Sequence, residues 1–229
     1  MDPNELIGPV GYAIQNYVVP GGFFGYKIIF ENETNATAPA QMVDIKNPLS
    51  TTLDWITFEL AEISFGDTFI AIPAGAKHFQ TNLSLTMNGE DFTLEIEAGI
   101  DLLSGQVFAH FDSIDPLFGL PPSVGVGFLP PEDGTGQGTG HVSYHVKPKP
   151  NLPLGTEIRN VAYIQFDVNP IISTDQIDPH DPSKGVDPNK QALVTIDSIL
   201  PASSVAALPA VTTTPSFLLC WSGTDLNGS

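Results

Sequence analysis

Two alternating runs of residues meet at an Asn-Gly pair near the middle of the chain, and that junction narrows the choice of fold more than any other feature. Before it, Phe79, Leu83, Leu85 and Met87 alternate with His78, Gln80, Asn82, Ser84 and Thr86. After it, Phe92, Leu94, Ile96 and Ala98 alternate with Thr93, Glu95 and Glu97. Period-two alternation puts one face of each run in a core and the other in water. Asn88-Gly89 is the favoured pair for a two-residue type I′ turn, whose twist suits a hairpin. A two-residue turn sets Leu85 opposite Phe92, Leu83 opposite Leu94, Asn82 opposite Glu95 and Gln80 opposite Glu97. Both faces then match in kind, as a stable register requires. Leu102-Leu103-Ser104-Gly105 turns the chain again into Gln106–Asp112, which places Glu97 opposite His110 and Glu95 opposite Asp112. The result is a three-stranded meander over residues 78 to 113.

Further strand signals flank it. They are Tyr26–Phe30, Gln41–Ile45, Leu53–Leu60, His141–Lys147, Ile158–Val168 and Ala192–Asp197, separated by turn residues such as ENETNATAP and Pro48-Leu49-Ser50. Glycine and proline, 21 of each, are spread without a period and leave little room for helices. Residues 115 to 140 form a long Pro/Gly-rich loop, a length that is uncommon without a function or mobility. The predicted fold is an all-β antiparallel sandwich over residues 1–198. Residues 199–215 read as a Pro/Ala/Thr/Ser linker. Residues 216–229, opening with Ser216–Trp221, read as the truncated first strand of a following fibronectin-like module. Met1-Asp2-Pro3-Asn4 has neither the basic region nor the apolar run of a signal peptide, so the chain reads as a piece of a longer protein.

Charge restricts the partners. There are 26 acidic residues against 8 basic ones, a formal net charge of −18. Such a surface repels nucleic acid and anionic lipid, whereas its carboxylates suit calcium, which prefers hard oxygen ligands. No apolar stretch reaches the roughly 18 residues of a membrane span. Cys220 is the only cysteine, which excludes an intrachain disulfide and a cysteine metal cluster.

Two metal sets follow from residue type and spacing. His110 and Asp112 project from the same face of one strand, about 6.6 Å apart, and suit zinc if a histidine from a neighbouring strand joins them. That partner would be His141 or His145, since the roughly 13 Å between those two along a strand keeps them from sharing one ion. His78 or Glu97 would supply the fourth ligand or orient an imidazole. An open zinc position would make the site hydrolytic. The calcium set is Asp175, Asp178, Asp181 and Asp187 in the acidic tail DQIDPHDPSKGVD, together with Asp2 and Asn4; no EF-hand register is present. No GxSxG motif occurs, and Glu95, Glu97 and Asp112 as glycosidase carboxylates compete with a simpler reading as a solvated acidic face.

Several motifs carry a family resemblance over residues 2 to 175: Asp2-Pro3-Asn4, GYKIIFEN with Ala-Pro-Ala-Gln after it, Leu53-Asp54-Trp55-Ile56-Thr57-Phe58, GHVSYHVKPKPNLPLGTEIRN and AYIQFDVNPIISTD. Together they resemble a repeat domain of large bacterial secreted surface proteins related to domain of unknown function 11. The resemblance implies an immunoglobulin-like sandwich in an extracellular or cell-surface chain, with neighbouring modules of that chain as its partners and no assigned catalytic residues. The expected function is therefore that of a structural or adhesive module. His110 and His145 depart from the family pattern. They motivate the alternative, a zinc-dependent hydrolase of phosphoesters or activated esters, and the abrupt end would suit a fragment recovered by activity from environmental DNA.

Overall fold

The computed structural model describes residues 4–197, 199, 202–208, 210, 211, 213 and 215–225. In chain order the strands are β1 (Glu5–Ile7), β2 (Tyr17–Val18), β3 (Phe24–Glu31), β4 (Met42–Pro48), β5 (Leu53–Phe65) and β6 (Thr68–Ala71). The meander follows as β7 (His78–Met87), β8 (Glu90–Asp101) and β9 (Gln106–Ile114). Then come β10 (Thr139–Pro148), β11 (Glu157–Asn160), β12 (Tyr163–Phe166), β13 (Ile172–Ser173), β14 (Ala192–Ile196), β15 (Ala202–Val205) and β16 (Trp221–Thr224). Two single-turn 3-10 helices, Pro182–Lys184 and Pro188–Lys190, lie between β13 and β14. Among the described residues no helix is long and apolar enough to cross a membrane.

The fold is an all-β antiparallel sandwich. One sheet has the order β1-β3-β10-β5-β6 and the facing sheet β13-β12-β4-β9-β8-β7, and both are antiparallel throughout. Ile28, Phe30, Ile63 and Val142 of the first sheet are fully buried, as are Val43, Leu94, Ile96 and Phe111 of the second. Phe111 joins the layers, its ring 5.4 Å from Phe30 and 6.4 Å from Phe65. Each such side chain contributes about 1.5–3 kcal/mol by leaving water, and a full set of them makes this layer the source of the fold's stability.

The meander has the register its alternation predicts. Leu85 pairs with Phe92, Leu83 with Leu94, Asn82 with Glu95, Gln80 with Glu97, Glu97 with His110 and Glu95 with Asp112. Asn88 and Gly89 adopt φ of 54° and 81°, as a type I′ turn demands. The core face of β7 is only half-buried because β7 is an edge strand.

The structure adds detail to three expectations. The single strand expected over 158–168 is two strands: β11 pairs with β14 in a third sheet, and β12 pairs with β4 in the six-stranded one. The chain changes sheets at residues 161 and 162, where side chains replace ladder partners. Asn47 Nδ2 donates to the Val161 carbonyl at 2.8 Å, and Ala162 N donates to Thr174 Oγ1 at 3.0 Å. The 115–140 loop is a core element, with Val126, Phe128 and Leu129 buried and Phe128 stacked 5.3 Å from Phe111. Its glycine-rich end is held by Glu132, whose carboxylate accepts from the backbone N–H groups of Gly134, Gly136 and Gly138 at 2.7–2.8 Å. Finally, the strand expected at 216–221 lies at β16 and pairs with β15, inside the segment read as linker.

The path of the chain matters for function. Asn4 is buried and lines a cleft with Glu31, at one end of β3. At the other end, beyond Phe24, the Asp197 N–H donates to the Val18 carbonyl at 2.8 Å, and the chain leaves the sandwich there. The eight residues of β3 separate the two ends, seven steps or about 24 Å at ~3.4 Å each.

Candidate functional site

Strand alternation carries His110 to the outer face of the six-stranded sheet, since Val107, Ala109 and Phe111 fill the inner face. There it lies opposite Asp44, with Nδ1 3.7 Å from Oδ1, and opposite Glu97 on its other side. Glu97 is already bonded to His78 Nε2 at 2.8 Å. Asp112 lies across from Glu95 in the next row. Partial burial raises the Asp112 carboxyl above its usual range; the positive end of His110 opposes that rise and Glu95 adds to it.

His141 and His145 occupy the opposite outer face. Their neighbours Val142, Tyr144 and Val146 point into the core from β10, in the five-stranded sheet. His141 Nε2 bonds Glu62 Oε1 at 2.7 Å, and Lys27 reaches the same oxygen at 3.2 Å. Desolvation pushes the Glu62 carboxyl upward, but the bonds from His141 and Lys27 outweigh it and hold the group below its ordinary value. His145 lies over Gly25 and edge-on to Phe23, with ring centroids 6.4 Å apart.

The expected zinc set is therefore divided by the thickness of the sandwich. His110, Asp112, Glu97 and His78 share one outer face, and neither His141 nor His145 can reach them. Two packed sheets stand about 10 Å apart even between their backbones, several times a zinc–ligand bond. Among the described residues no three His, Cys, Asp or Glu side chains come together in a group that could hold a metal ion. The hydrolytic reading loses the convergence it required.

The aspartates of the acidic tail are engaged in shaping it. Asp181 and Asp187 cap the two 3-10 turns by accepting from Ser183 N and Asn189 N. Asp178 pairs with Lys184 and accepts from His180 N. Asp175 takes Ser173 Oγ and Gln191 Nε2, both at 2.8 Å. Asp2 lies outside the described residues. Asn4 borders the cleft of about 340 Å³ whose rim carries Glu31, Glu33 and His180, with His180 Nε2 3.0 Å from Glu33. Burial, with Glu132 and Glu33 nearby, raises the Glu31 carboxyl.

The polar centre that the sequence reading missed is inside the core. Asn47 of β4, Tyr144 of β10 and Asn160 of β11 come from three different sheets and are almost wholly buried. Asn47 Nδ2 donates to Asn160 Oδ1 at 2.6 Å, Asn160 Nδ2 donates to the Tyr144 hydroxyl at 2.8 Å, and that hydroxyl donates to Asn47 Oδ1. The ring is closed, and burial drives the Tyr144 phenol far above its ordinary pKa. Three donors and acceptors satisfied in a circle fasten the sheets together without offering a free group for chemistry. The signal was present in the sequence: Asn47 and Asn160 sit in the inward phase of their strands.

A family model for domain of unknown function DUF7619 matches residues 128–179, less than a quarter of the chain. That segment contains the two longest motifs of the resemblance noted above, although the matching family is not the domain-11-like repeat expected from them. No curated protein matches the chain. Among solved structures, it is similar to domains D2 and D3 of the major pilin SpaD from Corynebacterium diphtheriae, at 12% identity and a TM-score of 0.39, covering 74% of this chain and 48% of that one. It is also similar to the collagen-binding domain from a Staphylococcus aureus adhesin, at 11% identity and a TM-score of 0.38, covering 86% of this chain and 97% of that one. The chain thus spans about half of the SpaD fragment and nearly all of the adhesin domain.

Proposed function

We propose that the sandwich is a structural or adhesive module of a bacterial extracellular multidomain protein, with adjoining modules of the same chain as its partners. The observation that carries this reading is where the chain enters and leaves the sandwich. Residue 4 and residue 197 lie at opposite ends of β3, so modules joined through them follow one another along a line and do not fold back side by side. The strongly acidic surface supports it, because like-charged modules repel lateral association. The resemblance to repeats of large surface proteins points the same way. Small-angle scattering of two copies joined through the native residues 198–225 tests the proposal. The expected maximum dimension is about twice that of one copy for rods set end to end; a compact, side-by-side particle would overturn the reading.

A further inference from the structure

We infer that the module bears tension, and that the parallel pairing of β2 with β14 is the clasp that resists it. This inference rests on the proposed placement in a linear chain of modules. The N-terminal segment meets β14 first at Gly8, against Ala192, and again at β2, which runs parallel to Thr195 and Ile196 after the 9–16 excursion. Ile7 and Pro9 share a recess with Lys190 and Leu193, Gly8 abuts Ala192, Tyr17 pairs with Thr195 and Val18 with Ile196. Tension applied at the two ends therefore pulls these neighbouring segments in opposite directions along their common axis. Bonds across a parallel pair loaded in this way share the force, whereas a pair pulled apart from one end breaks one bond at a time.

The side chains reinforce the pair where the load falls. Thr195 N and Asp197 N donate to the carbonyls of Asn16 and Val18 at 3.1 and 2.8 Å. Thr195 Oγ1 donates to the Gln15 carbonyl at 2.6 Å. Asn16 is the centre of the clasp. Its Nδ2 donates to the Leu193 carbonyl at 2.6 Å and to the Pro9 carbonyl at 2.9 Å, and its Oδ1 accepts from Gly11 N at 2.5 Å. One side chain thus closes the 9–16 excursion on itself and ties it to β14, so the excursion cannot pay out as slack. Asn16 has φ of 56°, a left-handed conformation that asparagine tolerates better than most residues. Gly11 has no room for a side chain, because a Cβ there would collide with the Tyr17 carbonyl.

Single-molecule force spectroscopy on the full chain tests this with two pulling directions. Cys220, exposed and the only cysteine, is one attachment in both. The N-terminus is the second attachment for pulling end to end. Gly22→Cys, a position where a Cβ meets nothing within 4 Å, is the second for peeling, because it lies with Asp197 at the same end of the clasp. The sandwich should resist end-to-end pulling with at least about twofold the peeling force, since shared bonds replace sequential ones. Asn16→Gly keeps the backbone conformation and removes the ties. It should lower the end-to-end force towards the peeling force and leave the peeling force unchanged, because peeling starts at Val18. Equal forces in the two directions, or an end-to-end force untouched by Asn16→Gly, would overturn the inference. Thr195→Val, which removes only the Thr195 Oγ1 bond to the Gln15 carbonyl, should lower the end-to-end force in the same sense and leave the peeling force unchanged, and it serves where the Asn16→Gly chain does not fold. An extended tandem in scattering with equal pulling forces would retain the linear module and remove the clasp.

Discussion

Truncating Asn47 to alanine removes the residue on which the buried ring turns. The amide donates to Asn160 Oδ1 and to the Val161 carbonyl and accepts from the Tyr144 hydroxyl. Its loss leaves three polar groups in the core with one partner fewer each, at positions where Asn47, Tyr144 and Asn160 are 0–2% exposed. Each unmet buried group costs about 1–3 kcal/mol. A single water could enter the space vacated by the amide and meet one or two of them. The expected net loss is about 3–5 kcal/mol, a large part of the ~5–15 kcal/mol that holds a domain together. Tyr144→Phe should cost less, about 1–2 kcal/mol, because Asn160 Nδ2 can still turn to Asn47 Oδ1. The assay is urea unfolding of the full chain, followed by circular dichroism. With a slope of ~2 kcal/mol per molar urea, the Asn47→Ala midpoint should fall by about 2 M. The double variant should lose clearly less than the two single losses added together, with a coupling of about 1 kcal/mol or more, since both act on one ring. A loss below about 1 kcal/mol for Asn47→Ala, or strict additivity with Tyr144→Phe, would refute the view that the ring fastens the three sheets.

Two further outcomes depend on carboxylates. The Glu132 carboxyl is held below its ordinary pKa, chiefly by the Gly136 N–H and then by those of Gly138 and Gly134. Its stabilisation is therefore present above the unfolded value of about 4.3 and is lost as pH falls through the lower folded value. Glu132→Gln should abolish that acid dependence and speed amide hydrogen exchange at the three glycines; unchanged exchange would show that the loop does not depend on this carboxylate. Asp112 has the opposite sign, because burial raises its folded pKa. Its contribution is most favourable below the unfolded value of about 3.9 and is lost as pH rises through the folded value, so Asp112→Asn should raise the melting temperature at neutral pH and make no difference near pH 3. A lower melting temperature at pH 7 would contradict this assignment.

The parts of the fold legible in the sequence were those in which the decisive physics is local. Asn88-Gly89 sets its own turn by its φ preferences, and once that turn is fixed, alternation leaves only one register that keeps both faces matched. The facing of Glu97 and His110 followed for the same reason. Alternation, however, reports only whether a side chain points inward or outward. It placed His110 and His141 correctly as outward residues but could not tell that they belong to opposite outer faces, and the zinc set drew on both. Asn16 was illegible for a related reason, because its partners lie on a strand about 180 residues away.

The corner at residues 160–162 shows what a sequence reading can still use. Ile158, Asn160, Ala162, Ile164 and Phe166 keep strict inward alternation through the change of sheet, so periodicity alone gives one strand where there are two. The exception to the pattern is Asn160, a polar residue in the inward phase, and Asn47 is the same exception on β4. A strand that leaves one sheet for another loses ladder partners for its backbone at the crossing, and buried backbone groups require replacements. The Val161 carbonyl finds Asn47, and the Ala162 N–H finds Thr174. Of the two backbone groups freed at the crossing, Asn47 thus meets one and Thr174 the other, and beside them the core-phase asparagines Asn47 and Asn160 bond each other. In this chain they mark the junction of three sheets more reliably than any break in hydrophobic rhythm.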